Sequence, residues 1–460
     1  MIKYNKSYIP AYDNDTEACD PEIWAREALE LLQENIVSPS LVHRDFEDRI
    51  ASYGDVVNTR MPTAFVMKRK VDTDDVTIQN AEVTNVPVRL NQHCHTSFLL
   101  RDGELSRSLP DLFDTFLTPA VQSIGTGIDQ IVLGQVYQFL GNPAGKLGGM
   151  DSTNAKTYML EARQVLNDNK VPMRGRNLIW TSSAETLALQ QELFTDVASS
   201  GSSAGLIEGT LGRKFGFNNF MCQNMSDVAT GNSTKTGAIN NSGGYAAGTT
   251  ALTVDGFTGA VTTGGWLTVA GDARPRRITA HTETSSNTTA ITISPALDYA
   301  VADNAVVTAY TPGAVNLSGG YAANWIKPIV IDGFTVAPQV GQGVSFGTAS
   351  AVYSILEAST TSITLDRPLE AAIADNDVVS ILPAGGYNFA FDKGAVALVT
   401  RPLAPPAPMN GVRAAVVNAY DMAIRVVMTY DGRAQGTLVT LDLLGGIAVL
   451  DNERGAVMFS

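Results

Sequence analysis

The chain is poor in charge and in the residues that most catalytic and metal sites use. Among 460 residues there are 3 cysteines and 4 histidines, and charged residues make up 17% of the sequence, below the ~25% of an average globular protein. Cys19, Cys94 and Cys222 lie far apart, which argues against a disulfide framework and fits folding in a reducing compartment. No apolar run reaches about 18 residues, and the N-terminus lacks the apolar segment of a secretion signal. We therefore expect a soluble chain without a membrane span.

Positive charge is scarce, because 32 lysines and arginines stand against 46 aspartates and glutamates, a formal net charge of −14. Such a chain gains nothing overall from counterion release on DNA or RNA. This argues against a protein whose whole surface binds nucleic acid and leaves contact through one local basic face open. Apolar residues make up 44% of the sequence, enough for substantial cores, and the many small residues favour short strands and turns.

Motifs for nucleophilic, nucleotide and calcium sites are missing or lack their context. GSSAG (201–205) matches the G-x-S-x-G pattern, but it follows a predicted helix, and the only later histidine is His281. GQGVSFG (341–347) is no dinucleotide fingerprint, because its third glycine comes one residue late. Walker motifs are absent, and the acidic runs lack the calcium-loop pattern. We expect no enzymatic activity and no cofactor.

The segment QHCHTSF (92–98) is the stretch that most suggests a metal or thiolate site. In a strand, successive side chains point to opposite faces, so Cys94 would lie on an apolar face and His93 and His95 on a face with arginines. Two histidines are too few for a structural zinc site, which usually takes four protein ligands. We therefore predict a half-buried strand with an inert, packed Cys94, and no metal.

Helix signals are concentrated before residue 241. Asp20-Pro21 begins a helix that ends at Ser38-Pro39, and Thr118-Pro119 begins the strongest helix, about 119–140, with apolar residues at helical spacing. The remaining predictions in this part are a helix at about 154–168, a strand at 177–182, and a helix at about 184–198 with Ser182 and Glu185 spaced as a capping box.

Residues 55–101 are predicted to form an extended two-stranded hairpin loop. It has so little apolar surface that it needs a neighbouring domain or chain to pack against. A basic run and an acidic run follow one another within it. One interpretation is two ordinary exposed runs around a turn; the other is complementary charges at the tip of a projecting hairpin, which would fix the register of a neighbouring subunit more than add affinity. The residues are Lys68, Arg69, Lys70, Asp72, Asp74 and Asp75.

The region 241–386 repeats internally and is nearly free of helix signals. SGGYAA recurs with an offset of 76 residues at 318–323, and the stretch 288–313 matches 360–385. We predict two tandem β-modules, at about 241–313 and 317–386, each a small barrel or sandwich. Strands then resume, ending in a hairpin with Asp431-Gly432 as its turn. The repeat region is thus predicted as an insertion into a parent α+β domain, 102–240 and 387–460.

In this order the parts resemble the major capsid proteins of tailed bacteriophages, with the HK-ninety-seven-type fold, and among them the P-twenty-two-type coat proteins, which carry a β-rich insertion. VPVRLNQHCHTSFLLRDGEL is similar to the strand that returns from the family's extended loop. LIEGTLGRKFGFNNFMCQNM (206–225) is similar to its Gly-Arg-x-x-Gly-Phe segment, and NFAFDKGAVALVTRPL (388–403) to the strand that re-enters the body. The duplicated insertion departs from the single one expected.

The resemblance implies an α+β phage major capsid fold with an N-terminal arm and helix (1–54), an extended hairpin loop (55–101), a spine helix (about 119–140) and the insertion (241–386). It implies a structural protein whose hexamers and pentamers form an icosahedral shell around double-stranded DNA, bound without sequence specificity. Scaffolding and portal proteins are the expected partners, and the virion capsid, assembled in the host cytoplasm, is the expected location. Subunit contacts are expected at the six charged residues above and at His93 and His95, whose protonation would tune assembly with pH.

A hypothesis from another class stays open: the β-repeats are a carbohydrate- or cell-binding module of a surface or tail protein. Its basis is a set of aromatic residues expected to be exposed in the repeats. Deleting 241–386 separates the hypotheses, because a binding protein would lose its ligand and keep its oligomeric state, whereas a coat protein would change in assembly or stability. The aromatic residues are Tyr245, Trp266, Tyr321 and Trp325.

Overall fold

A computed structural model describes most of the chain. The described residues are 37–44, 54–61, 65–72, 75–76, 78–80, 84–101, 118–196, 204–228, 234–257, 259–285, 288–347, 349, 351–401, 403–406, 412–419 and 422–460. Most of the predicted helix that begins at Asp20-Pro21 lies outside them, as do Cys19 and Asp74; only its predicted end at Ser38-Pro39 is described.

The described residues form a mixed α+β structure with many strands and few helices. The helices are α1 (Thr118–Leu133), α2 (Ala155–Asp168), α3 (Ser182–Leu189), α4 (Glu192–Thr195) and α5 (Ala204–Ile207), with 3-10 helices at Ser38–Ser40, Gly134–Phe139 and Asn452–Arg454. The strands are β1 (Val56–Met61), β2 (Thr84–Arg89), β3 (Gln92–Arg101), β4 (Pro143–Ala144), β5 (Arg176–Trp180), β6 (Arg213–Lys214), β7 (Phe217–Met221), β8 (Asp227–Val228), β9 (Thr234–Ile239), β10 (Ala251–Asp255), β11 (Trp266–Val269), β12 (Arg276–Ser285), β13 (Thr288–Ser294), β14 (Val306–Tyr310), β15 (Gly313–Val315), β16 (Ile329–Asp332), β17 (Gly343–Phe346), β18 (Tyr353–Ala358), β19 (Ser362–Leu365), β20 (Val378–Ile381), β21 (Gly385–Asp392), β22 (Val396–Arg401), β23 (Arg413–Ala419), β24 (Met422–Asp431), β25 (Gly436–Val449) and β26 (Gly455–Phe459).

The long helix α1 agrees with the sequence pattern, and its apolar stripe, including Ile124, Ile128 and Val132, is buried in the main core. The prediction of one helix to about residue 140 is wrong at its end, because the chain tightens into a 3-10 helix from Gly134. A Cβ atom on Gly134 would lie 2.7 Å from Cβ of Ser354. The absence of a side chain here therefore lets another part of the chain approach the helix closely.

The helix predicted at about 184–198 differs from the structure in its cap and its length. Thr181, not Ser182, is the N-cap residue, and its Oγ1 accepts a hydrogen bond from the Ala184 N–H at 3.3 Å. Glu185 is then one residue too late for a capping box. Helix α3 ends at Leu189, and Gln191, whose backbone is extended, separates it from α4. Phe194 of α4 is buried in the core. The predicted single helix is thus divided into α3 and α4, and Phe194 is buried beyond the division. Helical periodicity in the sequence does not reveal this division.

Two sheets form the body around α1. One has the strand order β4-β26-β21-β5-β7-β6, with β8 added to β21, and the other has the order β22-β25-β24-β23, with β3 added to β25. The predicted C-terminal hairpin is confirmed, since β24 pairs with β25 from Asp431 opposite Gly436. Strand β25 is long enough to pair with β24 and β22 and, over ten positions, with β3. It therefore links the C-terminal hairpin to residues near position 95.

Residues 234–381 form two closed six-stranded barrels, β9 to β14 and β15 to β20. Their strand orders, β10-β13-β12-β11-β14-β9 and β16-β19-β18-β17-β20-β15, are the same when strands are counted from the start of each barrel. The first barrel begins at Thr234, before the predicted start at residue 241. The sequence repeat also begins earlier than predicted, since GAIN (237–240) is the counterpart of GAVN (313–316) in the second barrel. The two barrels are thus copies of one topology.

Candidate subunit-contact surface

The first part of the candidate surface is a hairpin that forms a sheet of its own. Strand β1 pairs with β2 from Val56 opposite Arg89 to Met61 opposite Thr84. The hairpin loop predicted over 55–101 is longer than the observed one, because β3 is not part of the hairpin and pairs with β25 instead. Alternate residues of β3 face the body core, and that burial stabilises the strand more than hairpin pairing would.

The hairpin is anchored at its base. Val88 and Leu90 are fully buried against strand residues of the body, Ala397, Val399 and Leu444. The backbone closes the base with hydrogen bonds from Gly54 N–H to Leu90 O at 2.7 Å and from Leu90 N–H to Asp55 O at 2.9 Å. The base is thus held firmly while the rest of the hairpin extends away from the core.

Beyond the paired strands lies the tip, which we define as the described residues within 65–80. Its large apolar side chains are between 63% and 87% exposed. The Gln79 side chain links the two arms, accepting from Val66 N–H at 2.9 Å and donating to Val66 O at 2.5 Å. Contiguous exposed apolar groups of this kind mark a surface that another molecule covers. They are Phe65, Val66, Met67, Val71, Val76 and Ile78.

Five of the six charged residues predicted as subunit contacts lie on this tip, and the sixth, Asp74, is outside the described residues. Lys68, Arg69 and Lys70 are exposed, as are Asp72 and Asp75. The tip therefore combines apolar side chains with charges of both signs, an arrangement that can select the register of a partner as well as bury area.

His93 and His95 lie elsewhere, on the exposed face of β3 in the body sheet. His93 Nε2 is 3.4 Å from Oδ2 of Asp442, a buried carboxylate that also accepts from Arg425 Nε at 2.9 Å. The two imidazole rings are 6.1 Å apart. The structure thus places His93 beside a carboxylate and His95 beside His93, on a different element from the charged runs.

Cys94 faces the opposite side of β3, as the alternation predicted. It lines a small cavity with Ile128, Leu398 and Leu443, and burial raises the pKa of its thiol to about 11. A single metal therefore cannot be shared by Cys94 and the flanking histidines. Across the described residues, no group of three or more histidine, cysteine or acidic side chains is placed to hold a metal ion.

We expect Cys94 to be alkylated slowly in the native chain. At pH 8 a thiol with a pKa of about 11 holds roughly 100-fold less thiolate than one at the ordinary value of 9.0. The rate of modification by iodoacetamide, followed by mass spectrometry, should rise accordingly in urea. Rapid labelling of Cys94 in the folded chain would contradict its assignment as a packed, inert thiol.

The expectation that four repeat aromatics form an exposed binding face is wrong. Trp266 and Tyr321 are buried, and Tyr245 and Trp325 are partly buried. The hydroxyls of Tyr245 and Tyr321 accept from Thr253 N–H at 2.9 Å and Val330 N–H at 2.7 Å. These equivalent bonds tie each tyrosine to a strand of its own barrel, so the two hydroxyls have a structural role.

Sequence reasoning missed the buried charges where the second barrel meets the body. Asp366 is fully buried, and its Oδ2 accepts from Gln135 Nε2 at 3.1 Å and from Arg367 at 3.2 Å. Its backbone oxygen accepts from Gln92 Nε2 at 2.9 Å. The repeat comparison contained a signal, because Asp366-Arg367 aligns with Ser294-Pro295 in the first copy.

No family model matches the chain, and no curated protein matches it. It is similar to a solved structure of Mycobacterium phage Che8, with 13% identity over 92% of this chain and 90% of that one and a TM-score of 0.45. It is also similar to the capsid structure of the cyanophage P-SCSP1u, with 10% identity over 91% and 86% and a TM-score of 0.43. The capsid of Ralstonia phage GP4 matches with 8% identity over 92% and 87% and a TM-score of 0.39. Among the described residues, no helix is long and apolar enough to cross a membrane.

Proposed function

We propose that the chain is the major capsid protein of a tailed double-stranded DNA bacteriophage, of the P-twenty-two-type coat family, and that many copies form an icosahedral shell. The observation that carries the proposal is the hairpin tip, whose apolar residues are exposed although the hairpin base is firmly anchored. A side chain such as Phe, Met or Ile contributes ~1.5–3 kcal/mol when fully buried. In a closed shell every subunit can both supply a tip and cover one, so each copy gains this burial.

Other parts of the chain fit the same proposal. Residues 37–44, the described part of the predicted arm, are fixed to α1, since Ser38 Oγ donates to Asp129 at 2.8 Å. We assign α1 and the 3-10 helix after it to the spine, and the two barrels to a duplicated insertion. A structural role requires no catalytic group, and the packed Cys94 is consistent with that role.

The proposed partners are further copies of the chain, arranged in hexamers and pentamers, together with scaffolding and portal proteins. Double-stranded DNA would lie against the inner face, where a chain of net charge −14 limits adhesion to phosphate. Assembly would take place in the host cytoplasm and yield the virion capsid.

The proposal is tested by expressing the full chain, alone and together with a scaffolding protein from the same phage. Size-exclusion chromatography and electron microscopy should show shells or rings of five and six subunits. A chain that stays monomeric under both conditions would overturn the proposal. A variant that lacks residues 241–386 is examined in the same way. If the chain is a coat protein, the variant should differ from the full chain in assembly.

We also propose that His93 and His95 lie near a subunit contact and make assembly depend on pH. Protonation would add positive charge beside Asp442 and alter any contact that crosses this face. Replacing both histidines by glutamine should flatten the assembly yield between pH 5 and 8, measured by light scattering. His281→Gln, in the first barrel, is the matched control. An unchanged pH profile in the double variant would remove the suggestion.

A further inference from the structure

A cleft of about 630 Å³ lies where the two barrels meet the end of the long helix. Tyr137 and Leu140 come from the helical end, Trp266 from the first barrel and Val352 from the second. Its polar lining is dominated by three arginines, Arg274, Arg277 and Arg367, with Glu370 at its side. The cleft is separate from the hairpin and the histidines, and the capsid proposal assigns it no role.

Two of the three arginines are paired with carboxylates. Arg274 lies 3.0 Å from Asp298. Arg367 lies 3.2 Å from Asp366 and 3.3 Å from Glu370. Arg274 and Arg367 therefore each have a carboxylate partner within the chain, and neither cation requires a ligand.

Arg277 differs from both. It is only 7% exposed, and its two terminal nitrogens donate to the backbone oxygens of Ala349 and Gly347. In the part of the chain that the structure describes, no carboxylate pairs with Arg277, and its Nε has no hydrogen-bond acceptor. Its guanidinium lies 5.8 Å from the ring centre of Trp266. A buried cation without a counter-charge is costly, so an anion placed in the cleft beside Arg277 would supply the missing counter-charge.

We propose that this cleft binds a small organic carboxylate, with its anionic group at Arg277 and its apolar part against Trp266 and Val352. A monoanion supplies a single counter-charge to Arg277, whereas a polyanion would be repelled by Glu370 and by the carboxylates already paired with Arg274 and Arg367. The walls Leu140, Pro275 and Pro295 provide apolar area for the rest of the ligand. Such a ligand would bridge both barrels and the helical end.

The test uses 4-fluorobenzoate as the probe and the purified full chain, with binding followed by fluorine NMR. We expect saturable binding, and we expect Arg277→Gln to weaken it by about tenfold or more, since a hydrogen-bonded charge is lost. Arg433→Gln, at an exposed turn, removes the same charge outside the cleft and should leave the affinity unchanged. The neutral 4-fluorobenzyl alcohol should bind far more weakly than the carboxylate.

A second variant keeps the proposal testable if Arg277→Gln fails to fold. Glu370 is largely exposed, with 58% of its side-chain surface accessible, so Glu370→Gln should fold and should tighten 4-fluorobenzoate binding by about threefold, because a nearby like charge is removed. No binding to the wild-type chain, equal affinity in Glu370→Gln, or tighter binding of inorganic phosphate than of 4-fluorobenzoate would each overturn the proposal. Failure here would leave the capsid proposal unaffected.

Discussion

A chain with Phe65, Met67 and Ile78 replaced together by serine is expected to fold normally and to remain unassembled. All three side chains are exposed on the hairpin tip, so no contact of the monomer core is lost. At a subunit contact, burial of each would be worth ~1.5–3 kcal/mol, and losing all three removes most of the association energy that the tip provides. Electron microscopy and size-exclusion chromatography measure assembly, and circular dichroism confirms the fold.

The matched control replaces Met173, Ile207 and Val336 by serine. These residues are similarly exposed but lie at three separate places outside the hairpin. The control chain should assemble like the wild type. If the tip variant forms normal shells, the tip is not a major subunit contact and the observation that carries the capsid proposal is lost.

Asp366→Ala is expected to lower the free energy of unfolding by ~3–5 kcal/mol, the cost of breaking a buried ion pair by removing one partner. The carboxylate accepts from Ser354 N–H at 2.9 Å, Gln135 Nε2 and Arg367, so its loss takes a buried acceptor away from each of these three groups. Gln135 belongs to the helical end and Ser354 to the second barrel, so the loss occurs where barrel and body meet. Denaturant unfolding followed by tryptophan fluorescence measures the change.

Glu357→Ala is the control for this prediction. Glu357 lies in the same barrel and is exposed, so its removal changes the same charge at a cost within ~0.5 kcal/mol. Gly134→Ala probes the junction from the other side, because its Cβ would crowd Ser354 and Asp366, and it should also destabilise the chain. Equal stability of Asp366→Ala and Glu357→Ala would show that the buried network does not hold the barrel to the body.

Periodicity within a single stretch was a sound guide where one face of an element is buried. It placed Cys94 and the histidines on opposite faces of β3, and it located α1 and α2, because the apolar stripe of each helix packs on a hydrophobic core. It did not locate the break at Gly134 or the separate α4, since each depends on contacts with residues far along the chain. The exposed state expected for Trp266 and Tyr321 was wrong for the same reason: whether an aromatic side chain is buried depends on contacts with residues distant in sequence.

The sequence alone therefore determined the strand alternation at 92–98, the long helix and the duplication, because each is a pattern between near neighbours or between similar segments. The tertiary structure decided that β3 pairs with β25, that the tip carries its apolar residues outward, and that Arg277 is buried at a cleft without a carboxylate partner among the described residues. These features arise from pairing and burial between residues distant in sequence. Their energies depend on which surfaces meet in three dimensions, and no local spacing records that.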